Sequence, residues 1–374
     1  MTPRERVLAA INHRTPDKTP TDFGTTNCTS IVRSTYTKLK EIYGVEGPDK
    51  ILFRPFNIMR VDEKILNELE IDTRAVPGNL DAYPLKWLDE NTYVDNRGVT
   101  FHMPENGLYF SMTNHPLAKF ETVEEIEDNY QFPDFSNPDA IAGLREKAKK
   151  LRDENRFAVV GDLLDGAIFE TAWNLRGMEN LLGDLLVNED VAHYILRNVL
   201  DFQKVRMNEY LGEVGEYLDV VFVGDDLATA ASTIMSVNTY REMIKPYHKE
   251  YFSFIKSRTN AKLLYHSCGA ISSFLDDLIE IGVDMLDPIQ TKAAGMQPET
   301  LKERFGGRVV FWGAVDSYDV MPKGTEDDVK REVEHLIRTL GPSGYVLCEN
   351  HNVQADIPPE NVITMYKHAK QVAL

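Results

Sequence analysis

A histidine and a cysteine two residues apart stand at the end of an apolar stretch in this chain of 374 residues. Leu263–Gly269 reads Leu-Leu-Tyr-His-Ser-Cys-Gly and precedes the amphipathic segment Ala270–Ile281, a pattern that predicts a strand, a turn and a helix. Residues i and i+2 of an extended chain face the same side, so His266 and Cys268 should point at one spot. They could form half of a zinc site, although the pair alone is more typical of a core histidine beside a buried thiol.

Composition excludes several classes of protein. The chain is 43% hydrophobic and 27% charged, with a formal net charge of −18, which argues against a surface for nucleic acid or anionic membrane, since such surfaces need clustered Lys and Arg. No stretch approaches the ~20 apolar residues of a membrane span, and the first residues lack the apolar core of a signal peptide. Three cysteines, Cys28, Cys268 and Cys348, do not make a disulfide framework and fit a reducing cytoplasm.

Short apolar strands alternate with longer amphipathic helices along most of the chain. The predicted strands are Thr19–Phe23, Ile71–Val76, Phe157–Gly161, Leu218–Val223, Lys262–His266, Met285–Pro288, Val309–Trp312 and Tyr345–Cys348. Such alternation predicts a parallel sheet, and a count of eight favours a closed TIM-type (β/α)8 barrel over an open doubly wound sheet. Because no Gly-x-Gly-x-x-Gly or Walker-type loop follows any of these strands, nucleotide-binding alternatives are weakened. We interpret residues 1–374 as one α/β barrel domain.

The region of about residues 84–136 departs from this alternation. Trp87–Pro104 carries Asp95-Asn96-Arg97-Gly98 between arms rich in Thr and Val, which predicts a hairpin turn. Phe110–Phe135 is rich in Asn, Pro and Asp and is expected to lie outside the repeating core. We predict an insertion in the barrel, not a separate domain.

The carboxyl ends of the predicted strands are rich in metal-binding and acid–base side chains. In a barrel of this kind the active site lies at these ends. In chain order, they carry Asp22, Cys28, Asp162, Asp165, Asp225, Asp226, His266, Cys268, Asp287, Asp316, Cys348, Glu349, His351 and Asn352. In addition to Cys28, the strand ends carry two thiols, Cys268 and Cys348, and two histidines, His266 and His351. So many metal-binding side chains at one barrel mouth are not expected from core packing alone.

Most of these groups also have a structural interpretation. Carboxylates at strand ends often cap the following helix, which is the expected role of Asp162, Asp287 and Asp316. Of the doublet Asp225-Asp226, one can cap while the other faces the pocket, and Cys348 can be a small buried hydrophobic residue. The catalytic candidates are Asp225, Asp226 and His351, and the substrate-binding candidates are Asp22, Asp162, Asp287 and Asn352.

Seven motifs together give the chain a family resemblance. They are Arg-Val-Leu-Ala-Ala-Ile-Asn-His near the N-terminus, Gly224-Asp225-Asp226-Leu227, Ile244-Lys245-Pro246-Tyr247, His266-Ser267-Cys268-Gly269, Ile281-Gly282-Val283-Asp284, Gly344-Tyr345 and Pro358-Pro359-Glu360-Asn361. With them the chain resembles, over nearly its whole length, the uroporphyrinogen decarboxylase superfamily and, within it, the branch of corrinoid-linked methyltransferases. The resemblance implies a (β/α)8 barrel with its site at the C-terminal mouth.

The resemblance also implies a zinc site with one unsettled ligand. In the methyltransferase branch, zinc is held by a His-x-Cys pair, matching His266 and Cys268, and by a later cysteine. Counting back from the Pro-Pro-Glu-Asn motif, that later position falls nearest His351. The third ligand is therefore Cys348, which we favour on chemical grounds, or His351, or the site is incomplete.

The decarboxylase itself resembles this chain less well. Its arginine-rich substrate loop has no counterpart after Asp22, where the chain reads Gly-Thr-Thr-Asn-Cys-Thr-Ser and the first basic residue is Arg33. A tetrapyrrole with many carboxylates needs several guanidinium partners. Porphyrinogen decarboxylation is thus the second hypothesis, and a non-catalytic barrel that binds a corrinoid protein or ligand is the third.

The leading hypothesis is a zinc-dependent methyltransferase. It would move a methyl group between a small O-, N- or S-methylated substrate and a corrinoid carried by a partner protein. Zinc on His266 and Cys268 would activate the heteroatom that gains or loses the methyl group. Asp225 or Asp226 would orient the substrate, donate a proton or fill the fourth zinc position. A homodimer is compatible with the sequence.

Overall fold

The computed structural model describes residues 1–164 and 166–374, so the strand-end candidate Asp165 lies outside the described residues. The strands are β1 Ile31–Val32, β2 Ile51–Phe53, β3 Ile58–Met59, β4 Thr73–Pro77, β5 Lys86–Asp89, β6 Thr92–Val94, β7 Thr100–His102, β8 Ser111–Asn114, β9 Ala158–Asp162, β10 Val220–Gly224, β11 Lys262–His266, β12 Met285–Asp287, β13 Val310–Val315 and β14 Tyr345–Glu349.

The helices alternate with the later strands. They are α1 Pro3–Ile11, α2 Arg33–Tyr43, α3 Glu63–Glu68, α4 Val123–Asn129, α5 Leu144–Glu154, α6 Phe169–Arg176, α7 Met178–Val187, α8 Glu189–Val214, α9 Val237–Thr239, α10 Lys245–Lys256, α11 Leu275–Glu280, α12 Pro298–Phe305, α13 Val320–Lys323, α14 Glu326–Leu340 and α15 Pro359–Ala369. Within the described ranges, none of them combines the length and the apolar character that a membrane crossing requires.

Seven strands form one parallel sheet that curls into a barrel. Its order is β14-β13-β12-β11-β10-β9-β4. The segment around Thr21 joins the two edges, because Thr21 bridges to Leu347 of β14 in parallel and its carbonyl accepts the Asp72 N–H at 3.1 Å, just before β4. The predicted strand Thr19–Phe23 is thus reduced to a bridge. Pro20 has no N–H to donate to a ladder, and the Thr21 N–H donates instead to the Asp72 carboxylate at 2.8 Å.

The barrel interior is packed, not hollow. Side chains of alternate strand positions fill it, among them Val160, Phe222, Leu264 and Trp312, and residues of α1 such as Val7 and Ala10 belong to the same buried cluster. Filled layers of side chains are the usual interior of this fold. A cavity for chemistry is therefore left at the C-terminal ends of the strands.

The predicted insertion contains an antiparallel sheet of order β5-β6-β7-β8. The predicted hairpin turn is confirmed, since β6 pairs with β7 and Asp95 Oδ1 accepts the N–H groups of Arg97 and Val99 at 2.9 Å each. A second small sheet, of order β1-β3-β2, precedes it in the chain. Residues of both small sheets line the cavity at the barrel mouth.

Candidate metal centre

His266 ends β11, and its ring is held from behind by Asp287. The parallel register pairs His266 with Asp287 at the end of β12, and the ring Nδ1 lies 2.7 Å from Asp287 Oδ2. Because a carboxylate accepts, Nδ1 donates this hydrogen bond, and in the neutral ring Nε2 is therefore the nitrogen that carries the lone pair. Asp287 was predicted to cap a helix or bind substrate; instead, it fixes the orientation and tautomer of a candidate metal ligand.

Three donor side chains converge at this point. Cys268 Sγ lies 3.5 Å from His266 Nε2, and the rings of His266 and His351 have centroids 6.1 Å apart. The ligand atoms of His266, Cys268 and His351 all lie within 4.8 Å of one another. Imidazole and thiolate donors suit zinc, and a catalytic zinc uses three protein ligands with one position left open. The residues present therefore fit the ion that the family resemblance implies.

Cys348, the favoured third ligand, does not join this group. Its side chain is buried in the barrel interior with Trp312 and Val346, and this burial raises the pKa of its thiol well above the ordinary value. The physical reason is its position in the chain: Cys348 is still within β14 and points inward, whereas His351 follows the strand in the loop at the mouth. The structure thus brings His351, not Cys348, to the His266–Cys268 pair.

Cys28 is a neighbour of the site to which sequence reasoning gave no role. It lies in the loop after Asp22 and lines the cavity, and its thiol interacts with the ring of His266. Burial raises the pKa of this thiol to about 12, although the charge of His266 opposes the shift. Its position after the first predicted strand was the available signal, because that strand end lies at the same barrel mouth.

The protonation of the donors is set by burial and by their mutual proximity. Burial, followed by the charge of His266, lowers the pKa of His351 to about 4, so His351 is neutral near pH 7. Burial also raises the pKa of Cys268, while His266 opposes it. Burial disfavours the charged form of His266, but Cys28, Cys268 and Asp287 raise its pKa well above the ordinary value. Binding of a metal ion must therefore release protons from this group.

The adjacent carboxylates of Asp225 and Asp226 have different surroundings. Asp225 is fully buried and accepts the backbone N–H groups of residues 168–170 at 2.7–2.9 Å, as well as His248 Nε2 at 2.8 Å. It joins the end of β10 to the start of α6 and does not line the cavity. Its predicted catalytic role is therefore corrected to a structural one.

Asp226 lines the cavity, as one member of the doublet was predicted to do. Its Oδ1 accepts the Cys268 N–H at 2.8 Å and lies 3.9 Å from His266 Nε2. The side chain keeps 37% of its surface exposed. Asp226 thus positions the Cys268 loop and presents a carboxylate beside the candidate metal ligands.

Among the remaining substrate-binding candidates, Asn352 lines the cavity and the two aspartates do not. Asp22 is fully buried and binds the side chains of Thr25, Thr73 and Trp312 at 2.5–3.1 Å. Asp162 accepts the backbone N–H groups of Asn27 at 3.0 Å and Leu164 at 2.6 Å. Both aspartates therefore hold loops in place instead of facing a ligand, which corrects the prediction.

His266, Cys268 and His351, hereafter called the metal group, lie in the wall of a cavity of about 960 Å³. Aromatic residues form much of its lining: Phe53, Phe56, Tyr83, Trp87, Tyr93, Phe101, Tyr109, Phe110, Phe135, Trp173 and Phe222. Four arginines also line it: Arg54, Arg60, Arg97 and Arg206. Most of these residues belong to the small sheets and loops. They were not predicted from the sequence, because the prediction used only the carboxyl ends of the barrel strands. The cavity is far larger than a methyl-bearing fragment requires.

The fold and the donor group together define a (β/α)8 barrel with a candidate metal centre at its mouth. The chain belongs to the uroporphyrinogen decarboxylase (URO-D) family, whose model matches residues 91–372. A solved methyltransferase from Methanosarcina mazei covers 99% of each chain with a TM-score of 0.70 and 18% identity. That likeness confirms the predicted barrel.

Two curated relatives match about half of the chain each. One is a methylated-thiol–coenzyme M methyltransferase from Methanosarcina mazei, 22% identical over 223 residues, which are 55% of this chain and 55% of that protein. The other is a uroporphyrinogen decarboxylase from Wolinella succinogenes, 28% identical over 188 residues, 48% of this chain and 49% of that protein. The chain thus spans about half the length of the curated relatives it matches, and these relatives differ in reaction.

Proposed function

We propose that the protein is a zinc-dependent methyltransferase that moves a methyl group between a small O-, N- or S-methylated substrate and a corrinoid carried by a partner protein. The observation that carries the proposal is the convergence of His266, Cys268 and His351 within 4.8 Å at the barrel mouth. Porphyrinogen decarboxylation needs no metal, so such a donor group favours methyl transfer. The similarity to a methyltransferase relative supports the same choice.

Different residues of this chain would bind the ion, orient its ligands and contact the substrate. His266, Cys268 and His351 would hold zinc, which supplies Lewis-acid activation of the heteroatom when bound. Asp287 keeps the His266 Nε2 lone pair directed at the site. Asp226 Oδ1 accepts a hydrogen bond from the Cys268 backbone N–H. The second carboxylate oxygen of Asp226 would orient the substrate or hold the proton of a demethylated product.

The electron balance of the transfer fits a reduced corrinoid as acceptor. The bond between the methyl carbon and the heteroatom would break with its electron pair left on the heteroatom, and the chemistry that a reduced corrinoid would supply is the electron pair for the new bond to carbon. The demethylated heteroatom then takes a proton. A cavity of about 960 Å³ leaves space for a cofactor presented by a partner protein.

Metal analysis of the purified protein and two matched cysteine variants tests the proposal. We expect about one zinc per chain in the wild type and in Cys348→Ser, and a large loss of zinc in Cys268→Ser. Methyl transfer from methylated donors to free reduced cobalamin, followed by absorbance, should fall with the zinc content. The proposal would be contradicted if wild-type protein from cells grown with zinc contained no zinc. It would also be contradicted if Cys268→Ser had the same zinc content as the wild type.

Uroporphyrinogen decarboxylation is the second candidate, favoured by one observation. The missing arginine-rich loop argues against it, but four arginines from other parts of the chain line the cavity and could meet some carboxylates of a tetrapyrrole. Incubation with uroporphyrinogen, with coproporphyrinogen as the product measured, separates the two functions. Decarboxylation that persists after zinc is removed would favour this candidate and exclude the zinc-dependent one.

A further inference from the structure

Cys28 contacts the metal group but has no role in the proposed function. Its side chain is half-buried, lines the cavity and interacts with the ring of His266. Because the hydrogen on His266 Nδ1 is donated to Asp287, the ring nitrogen left for the Cys28 thiol is Nε2. Cys268 Sγ lies 3.5 Å from the same nitrogen. Two thiols from different loops therefore meet at the nitrogen that would bind the ion.

Hydrogen bonds fix the loop that carries Cys28. Thr26 Oγ1 accepts the backbone N–H groups of Cys28 and Thr29, each at 3.1 Å. The Thr25 hydroxyl donates to the buried carboxylate of Asp22 at 2.7 Å. The Cys28 side chain packs against the buried cluster of the barrel interior, so the loop lies over the barrel mouth. The loop thus presents the thiol to the metal group from a fixed backbone, as a preorganised ligand requires.

The metal group leaves one position of a tetrahedral zinc ion unfilled. His266, Cys268 and His351 supply three donors, and zinc in proteins is almost always four-coordinate. Two neighbouring side chains are candidates for the fourth position, Cys28 and Asp226. The Asp226 oxygen nearest to His266 Nε2, at 3.9 Å, already accepts the Cys268 N–H. Because thiolates suit zinc better than carboxylates do, Cys28 is the better donor.

Coordination by Cys28 requires a rotation of its side chain. The three donors whose ligand atoms lie within 4.8 Å of one another do not include Cys28. Its thiol borders the open volume of the cavity, however, and donates one hydrogen bond of 3.5 Å to Asn27 Oδ1. A thiol is a weak donor, and one torsion with three staggered wells moves the sulfur. The thiolate can therefore turn to an ion without a change in the backbone.

We propose that Cys28 is the fourth protein ligand of the zinc ion in the substrate-free protein, at the position that a substrate heteroatom takes during methyl transfer. The identity of the ion and of the reaction rests on the proposed function. When the heteroatom replaces it, the Cys28 sulfur leaves the ion with its electron pair and takes a proton from solvent. Four donors then surround the ion before and after substrate binding, and the fourth position stays available, as a catalytic zinc requires.

Absorbance of the cobalt-substituted protein tests this inference, because a thiolate bound to Co²⁺ gives an intense charge-transfer band that grows with each further thiolate. The wild type, stripped with a chelator and loaded with one equivalent of Co²⁺, should show the intensity of two thiolates. Cys28→Ser should lose about half of this intensity, because one of two soft donors is removed. Cys348→Ser is the matched control and should keep the full band, since the Cys348 thiol is buried in the barrel interior.

Alkylation of the wild type is a second measurement that does not depend on the folding of a variant. Iodoacetamide should modify Cys28 and Cys268 in the metal-free protein and neither of them after one equivalent of zinc is added. Cys348 is the internal control and should stay unmodified in both states. In competition with a chelator, Cys28→Ser should bind zinc at least about 10-fold more weakly than the wild type, since even a change in the outer partner of a ligand costs that much.

The outcomes separate this inference from the proposed function. A wild type that binds no zinc would overturn both. A wild type that binds zinc, together with a Cys28→Ser protein that keeps the full cobalt band, would overturn the inference alone. Modification of Cys28 at the same rate with and without zinc would do the same. A zinc affinity that falls in Asp226→Asn but not in Cys28→Ser would assign the fourth position to the carboxylate instead.

Discussion

The two functional parts of the cavity are built from different parts of the chain. The metal group comes from barrel strands, with His266 at the end of β11 and Cys268 and His351 in the loops after β11 and β14. The other part, the aromatic lining, comes mostly from the β1–β3 region and from the inserted sheet β5–β8. Barrel strand ends are held by the parallel ladder, whereas inserted segments vary in length and composition without disturbing it. The comparison suggests that the barrel sets the reaction class and that the inserted segments select the substrate.

Removal of the central metal donor should separate these two parts most clearly. In His266→Ala, we expect loss of zinc and a fall in methyl transfer of at least about 10³-fold, because Lewis-acid activation supplies several kcal/mol. In contrast, Phe56→Ala, which shortens a lining side chain between β2 and β3, should keep the zinc content of the wild type. Metal analysis and transfer assays measure the two quantities. Loss of zinc in Phe56→Ala as well would show that the two parts are not separable.

The same division explains what the sequence could predict. His266, Cys268 and Asp226 were found because parallel strands bring their carboxyl ends together whatever their distance in the chain. The choice between Cys348 and His351 was missed, because the predicted strand Tyr345–Cys348 did not show whether the Cys348 side chain points to the barrel mouth or into the packed interior, where it lies. Cys28 and many of the lining residues lie in or beside irregular segments that have no periodicity to predict a side-chain direction. The outer wall of the site therefore needed the structure.

The carboxylate behind His266 should have the next largest effect at the metal group. In Asp287→Asn, we expect zinc affinity to fall about 10- to 100-fold, which is typical when the partner that orients a ligating histidine is changed. Competition with a chelator measures the affinity. Asp162→Asn is the matched control, because this buried carboxylate also accepts hydrogen bonds but holds the loop backbone at Asn27 and Leu164. An Asp287→Asn protein with wild-type affinity would show that the hydrogen bond to His266 Nδ1 does not prepare the ligand.

The Asp225–Asp226 doublet tests whether rigidity and chemistry are carried by different residues. Asp225→Asn should lower the free energy of unfolding by about 2–3 kcal/mol, because a buried carboxylate with three N–H donors and a histidine partner loses its charge. Asp226→Asn, whose side chain is partly exposed, should change stability by less than about 1 kcal/mol and mainly reduce transfer activity. Urea titration and activity assays distinguish them. Equal loss of stability in both variants would refute the assignment.

The smallest expected effect lies in the cavity lining outside the barrel strands. Arg54→Gln removes the partner 3.1 Å from Asp81, and both side chains of this pair are exposed. Because ion pairs between exposed groups contribute only about 0.2–1 kcal/mol, we expect the free energy of unfolding to fall by no more than that in a urea titration. The double variant Arg54→Gln/Asp81→Asn should be no less stable than Arg54→Gln, and zinc content should not change in either protein. Loss of zinc in Arg54→Gln would mean that the lining also supports the metal group, and the division between the two parts of the cavity would then fail.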